Sequence, residues 1–275
     1  MTLIRADGVS RTYRSTSLVG TGAARTALNG VSLSVAAGET VALLGRSGCG
    51  KSTLARLLCG LERPDGGTVF FRGTPLGRLD RAGLRRFRRE VQMVFQDAPG
   101  AVDPRFDIRS IIAEPLRHLT SLDAPARARR VDELLEMVEL PASLAPMLPS
   151  QVSGGQLQRV CIARALAPSP ALVILDEAVS NLDLHLQAAT LALLKRLQQA
   201  SGIACLFVTH DLRLVERFAD RTVVMQRGQV VEETGTSAPA SALAELRHPA
   251  SLELKAAILP PLPARVRTAK VAAAG

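Results

Sequence analysis

Two short segments carry the side chains able to handle a phosphate chain. The run Gly45-Arg46-Ser47-Gly48-Cys49-Gly50-Lys51-Ser52 fits the pattern GxxxxGK[ST], follows an apolar run from Thr40 to Leu44, and opens a helical pattern from Ser52 to Leu61. Glycines in such a loop let backbone N–H groups converge on phosphate oxygens, and the helix start adds the positive end of its dipole. Lys51 then reaches the terminal phosphates, while Ser52, followed by Thr53, offers a hydroxyl to Mg²⁺. This is a site for a nucleoside triphosphate.

Leu172-Val173-Ile174-Leu175-Asp176-Glu177 is the second segment, a buried-strand pattern that ends in two adjacent carboxylates. Neighbours on a strand point opposite ways, so the two acids can take different tasks. Asp176 is placed to hold Mg²⁺, directly or through water, and Glu177 to polarise the attacking water.

Both segments need a sheet that ends at one edge. Further candidate strands run near Leu28 to Ala36, Thr68 to Arg72, Val91 to Gln96, Cys205 to Thr209 and Thr222 to Gln226. Helical patterns at Arg127 to Leu140, Gly155 to Ala167, Leu184 to Ala200 and Asp211 to Ala219 alternate with them, as in an α/β domain with a parallel core sheet. The stretch from Asp107 to Ala167 offers helices without strands and reads as an inserted helical lobe. Ser15 to Gly22 reads as a surface loop, and the Ala- and Pro-rich tail beyond Gly235, with Pro260, Pro261 and Pro263, as partly extended or disordered.

Composition narrows the class further. At 275 residues and 47% hydrophobic the chain can bury a large core, yet its apolar runs are strand-sized, far short of the roughly 20 residues that cross a bilayer. Arg5 and Asp7 stand where an export signal would need an apolar core. Cys49, Cys59, Cys161 and Cys205 form no CxxC pair. The net charge of +9 admits nucleic acid, anionic membrane or phosphate ligands. With aromatics at 3% and one tyrosine, platforms for stacked bases are scarce, and the Arg81, Arg85, Arg86, Arg88, Arg89 run reads as a solvated helix face.

Val152-Ser153-Gly154-Gly155-Gln156 resembles the LSGGQ signature of ABC ATPases, with Val in place of the usual Leu. In chain order, Gln96 is similar to that family's Q-loop, Ser180-Asn181-Leu182-Asp183 to its D-loop, and His210 to its switch histidine; Tyr13 sits where the family places a ring against adenine. Each also has a plainer reading: Gln96 as a strand-end amide, His210 as a helix-start residue, Tyr13 as a half-buried strand residue. His118, His185 and His248 match no site motif. The resemblance implies a phosphate-loop NTPase (RecA-like) core sheet with an N-terminal antiparallel β sub-domain and an inserted α-helical sub-domain. Its boundaries would be an ATPase domain over 1–235, with the helical sub-domain at about 107–167, and a tail over 236–275. It also implies ATP with Mg²⁺, Gln96 as a sensor of Mg²⁺ and water, and His210 on the γ-phosphate. Ser153, Gly154, Gly155 and Gln156 would close over a nucleotide held by a second ATPase chain, since each motif occurs once; the resemblance implies a related but distinct subunit in a heterodimer, or a second copy of this chain when it is isolated.

Phe95-Gln96-Asp97 with Val102-Asp103-Pro104-Arg105, and Arg247-His248-Pro249 in the tail, resemble the peptide and nickel importer branch of that family. The stretches Gly38 to Leu58, Ile174 to Leu184 and Cys205 to Phe218 are similar to its nickel importers, and the cysteine cluster of many of its peptide importers is missing. The resemblance implies ATP-driven nickel uptake, two membrane permeases, a periplasmic binding protein acting indirectly, no nucleic acid, and a peripheral place on the cytoplasmic face of the bacterial inner membrane. Uptake of peptides or another metal chelate within the same branch, or a soluble role on ribosomes or DNA, are the alternatives; the last usually needs two cassettes or a long coiled coil, and neither is present.

Overall fold

Residues 1–17, 20–179, 184–212, 215, 218–235 and 245–256 are described by a computed structural model. In the N-terminal part, alternation buries one face: Leu28, Val31, Leu33 and Val35 point inward with Leu3, Ile4, Ala6 and Val9. They lie on strands β1 (Thr2–Ser17) and β2 (Gly20–Ala36), joined by β4 (Gly66–Phe71) and β5 (Thr74–Pro75) in an antiparallel sheet of order β2-β1-β4-β5. Of the residues read from sequence as the Ser15 to Gly22 loop, 15–17 and 20–22 extend these strands, with Ser17 opposite Gly20, and 18–19 lie outside the described residues.

The central sheet has the order β10-β9-β3-β8-β7-β6. Its strands β3 (Thr40–Leu44), β6 (Val91–Val94), β7 (Leu172–Asp176), β8 (Ala204–Thr209) and β9 (Arg221–Gln226) pair in parallel, and β10 (Gln229–Thr234) returns antiparallel on β9. Every residue of β3, β7 and β8 is buried, as continuous apolar strands covered on both faces require. Leu44 lies opposite Thr209 and Asp176 opposite Val208, so the C-terminal ends of these three strands open on one edge. Ligands of open α/β sheets bind outside that edge.

The α-helices around the sheets include α1 (Lys51–Leu58), α2 (Arg81–Glu90), α3 (Ile108–Leu119), α4 (Ala124–Met137), α5 (Gly154–Leu166), α6 (Leu184–Ser201) and α7 (Pro249–Ala256). Asp80, Asp107 and Asp123 cap α2, α3 and α4 by accepting from the N–H groups of Gly83, Ser110 and Ala126. Helices α3, α4 and α5 share a core that includes Ile112, Leu116, Leu134 and Val160, and the described residues between Asp107 and Ala167 contain no strand. On α2 the apolar Phe87 is buried and Arg81, Arg85, Arg88 and Arg89 are exposed. No helix of the described residues is long and apolar enough to cross a membrane.

The segment after Gly235 differs from the partly extended or disordered tail read from sequence. It contains α7, where Pro249 takes the first helical position that suits its fixed φ. Leu246 and Leu254 pack against Ala42 and Leu44 of β3, the strand that carries the phosphate loop, and Val224 of β9. Glu232 of β10 holds the helix start by accepting from the N–H groups of Arg247 and His248 and from the Ser251 hydroxyl. Pro260, Pro261 and Pro263 lie outside the described residues.

Candidate functional site

The chain leaves β3 at Gly45 and enters α1 at Lys51 through a loop that only glycine can make. Gly45 has φ +154° and Gly50 φ +110°; a β-carbon would stand 2.4 Å from the Met225 carbonyl oxygen at the first and 2.5 Å from that of Ala27 at the second. The loop wraps the Lys51 ammonium, whose Nζ donates to the carbonyl oxygens of Gly45 at 2.8 Å and Arg46 at 3.3 Å. Lys51 is 4% exposed, so its charge faces this loop and the cleft beside it, with Glu177 Oε1 3.8 Å away.

Ser52, the next residue on α1, donates its hydroxyl to Asp176 Oδ1 at 2.8 Å. Burial pushes the Asp176 carboxyl above its ordinary range, and the Ser52 hydrogen bond opposes that shift. A hydroxyl and a carboxylate in contact beside a phosphate loop are hard oxygen donors, the set that suits a small divalent cation. Glu177 follows in a left-handed conformation, φ +48°, pinned by its N–H to the Val208 carbonyl oxygen at 3.0 Å. A non-glycine residue held there carries strain of about 1–3 kcal/mol, and the result is a side chain turned off the strand axis. Its Oε1 lies 3.6 Å from His210 Nδ1, so the loop lysine and the residue after β8 meet at one carboxylate.

Lys51, Ser52 and Glu177 line a cleft of about 500 Å³ together with Tyr13, Ser47, Gly48, Gly50, Thr53 and Gln96, while Asp176 and His210 adjoin it through Ser52 and Glu177. Arg46 is exposed at the rim, 3.5 Å from Glu253 of α7, and the Cys49 thiol is buried, which pushes its pKa up. Sequence reading missed Arg25 and Arg56, which also line the cleft. Arg56 was legible, since it stands one turn after Ser52 on the same face of α1. Arg25 enters because β1 and β2 pair it with Tyr13, a register no local pattern reveals, and its Nη2 donates to the Gly48 carbonyl oxygen at 3.3 Å.

Ser153, Gly154, Gly155 and Gln156 do not line this cleft. They form the start of α5, where Ser153 Oγ accepts from the Gln156 N–H at 3.2 Å and Gln156 Oε1 accepts from the Ser153 N–H at 2.8 Å. A β-carbon on Gly154 would meet nothing within 4 Å, so the backbone is open there, whereas one on Gly155 would stand 3.1 Å from Leu186 Cδ1. Asp183, with Ser180, Asn181 and Leu182, lies outside the described residues.

The ABC transporter family matches residues 28–180. The chain is 64% identical over 265 residues to the nickel import ATP-binding protein NikE of Brucella suis biovar 1, covering 96% of this chain and 98% of that protein. It is 53% identical over 268 residues to the protein of the same name from Escherichia coli strain K12, covering 98% of each. Among solved structures it is similar to the ATP-binding cassette MJ0796, a dimer bound to ADP and Pi in a post-hydrolysis state, with TM-score 0.76 and 31% identity over 85% of this chain and 99% of that one. It is also similar to cbiO1 from Clostridium perfringens, part of the transporter complex cbiONQ, with TM-score 0.72 and 27% identity over 89% of this chain and 91% of that one.

Proposed function

The chain belongs to the ABC transporter family, and on that premise we propose that it is the ATP-binding and ATP-hydrolysing subunit of an importer of nickel ions. The convergence of Lys51, the Ser52–Asp176 pair, Glu177 and His210 at one strand edge carries the enzymatic part. The nickel import proteins similar over nearly the whole chain support the cargo.

The phosphate loop and the start of α1 bind the triphosphate, with Lys51 on its terminal oxygens. Ser52 and Asp176, with Gln96 nearby, would hold Mg²⁺, which neutralises phosphate charge when bound. Glu177 takes a proton from the attacking water, and His210, held beside it, contacts the γ-phosphate. Tyr13 offers its ring to the adenine base. Ser153, Gly154, Gly155 and Gln156 serve the nucleotide of a second ATPase chain. Dimer closure then depends on the γ-phosphate, because two helix starts grip one triphosphate.

Two permeases complete the transporter, with a periplasmic binding protein delivering the ion, and the ATPase sits on the cytoplasmic face of the inner membrane. The segment from Gln96 to Asp107 and the groove beside it, lined by Leu61, Phe95, Ala101 and Glu114, form the permease dock. The test is uptake by the reconstituted transporter. ATP-dependent accumulation of Ni²⁺, with crosslinks from the 96–107 segment to a permease, is expected; ATPase stimulation by dipeptides and not by Ni²⁺ would refute the cargo.

A further inference from the structure

Beside the cleft, one carboxylate collects three donors from two different parts of the fold. Glu62 Oε2 accepts the Tyr13 hydroxyl at 2.7 Å and Arg11 Nε at 3.2 Å, and its Oε1 accepts Arg56 Nε at 2.8 Å. Tyr13 and Arg11 belong to β1 of the antiparallel sheet, whereas Arg56 belongs to α1, the helix that begins with Lys51. Glu62 is itself fixed to that helix, since the N–H groups of Leu61 and Glu62 donate to the Arg56 carbonyl oxygen. The side chain is 20% exposed, and despite the burial its pKa is lowered by the Tyr13 and Arg56 hydrogen bonds and the charges of Arg56 and Arg11.

The neighbouring contacts hold the same junction. Asp65 accepts from the Thr12 N–H at 2.7 Å and from Arg11 Nη1 at 2.8 Å, and the Asp65 N–H donates to the Ser10 carbonyl oxygen at 2.8 Å. The Arg11 guanidinium stands 5.1 Å from the centre of the Tyr13 ring, at cation–π distance, while the ring also lines the cleft. The phenol hydroxyl is thus tethered and the ring angle is determined from both ends.

We propose that Glu62 is a positioning residue for nucleotide binding: it sets the distance and tilt between the ring that takes the base and the loop that takes the phosphates. The inference rests on the reading of Tyr13 as the base platform. It gives Glu62 no contact with the nucleotide, so its effect must reach the base and spare the phosphates.

The test uses the full chain and two probes with Mg²⁺, ATP and inorganic triphosphate, since the second has no base. Tyr13→Ala should lower the preference for ATP over triphosphate by about tenfold, the order of affinity that base stacking on an aromatic ring supplies. Glu62→Ala should lower it by roughly three- to tenfold at nearly constant triphosphate affinity, and Glu62→Gln, which keeps an acceptor for the phenol, should restore most of it. The chain has one tyrosine and no tryptophan, so its emission reports Tyr13 alone and should rise in Glu62→Ala as the carboxylate acceptor is lost. An unchanged preference in Glu62→Ala beside a lowered one in Tyr13→Ala overturns the inference and leaves the platform standing. An unchanged preference in Tyr13→Ala overturns both. Equal weakening of the two probes in Glu62→Ala makes the residue structural only and also refutes the proposal.

Discussion

Glu177→Gln should leave ATP bound and slow its hydrolysis by roughly 10² to 10⁴-fold, about 3 to 5 kcal/mol of barrier, because the amide cannot take the proton of the attacking water. The geometry makes this a test of chemistry. Glutamine has the same shape, the backbone at φ +48° stays pinned through Val208, and the side chain still lies between Lys51 and His210. Single-turnover hydrolysis in excess enzyme reads the step directly. A rate equal to that of the unaltered protein would remove Glu177 from the mechanism.

Lys51→Ala should act earlier, on binding itself. The buried ammonium is the cation that the loop carbonyls of Gly45 and Arg46 orient towards the cleft, and charge-assisted bonds of this kind contribute about 1.5 to 3 kcal/mol. ATP affinity should fall by roughly 10 to 100-fold. Removing the lysine also takes away the ammonium 3.8 Å from Glu177 Oε1, so the turnover of whatever ATP still binds should drop too. Equilibrium titration with ATP decides the point, and unchanged affinity would contradict the role. Together the variants separate the two stages: one binds without splitting, the other hardly binds.

Local features of the site were legible in the sequence, and features made by register were not. The glycines at 45 and 50 announce a loop because their backbone and space exclude any other residue, and Leu172 to Asp176 announces a buried strand because both its faces are covered. Adjacent acids at a strand end suggested divided tasks; the structure divides them by turning Glu177 into a left-handed conformation right after Asp176.

The extent of β1 is not evident from the sequence pattern, although Tyr13 within it reads as a strand residue. Register shifts recur along it and Gly8 takes φ +57°, so its alternation is broken although its buried residues are apolar. α3 was missed for another reason: Pro115 lies inside it, and a proline usually ends a helical pattern. The partners of Tyr13 were out of reach in the same way. Arg25 and Glu62 lie 12 and 49 positions away in sequence and meet it only once β1, β2 and α1 are assembled. The tail helix depends likewise on Glu232, which holds Arg247, His248 and Ser251 from a strand that the sequence reading did not identify.

Everything proposed for transport turns on whether the open start of α5 meets a nucleotide held by another chain. The direct measurement is a structure of the Glu177→Gln chain with Mg-ATP and its paired ATPase chain. The expected result has Ser153 Oγ and the Gly155 N–H within about 3 Å of the γ-phosphate gripped by the paired chain's loop. Ser153 still closed on Gln156 and facing solvent, with both nucleotides bound, would contradict it.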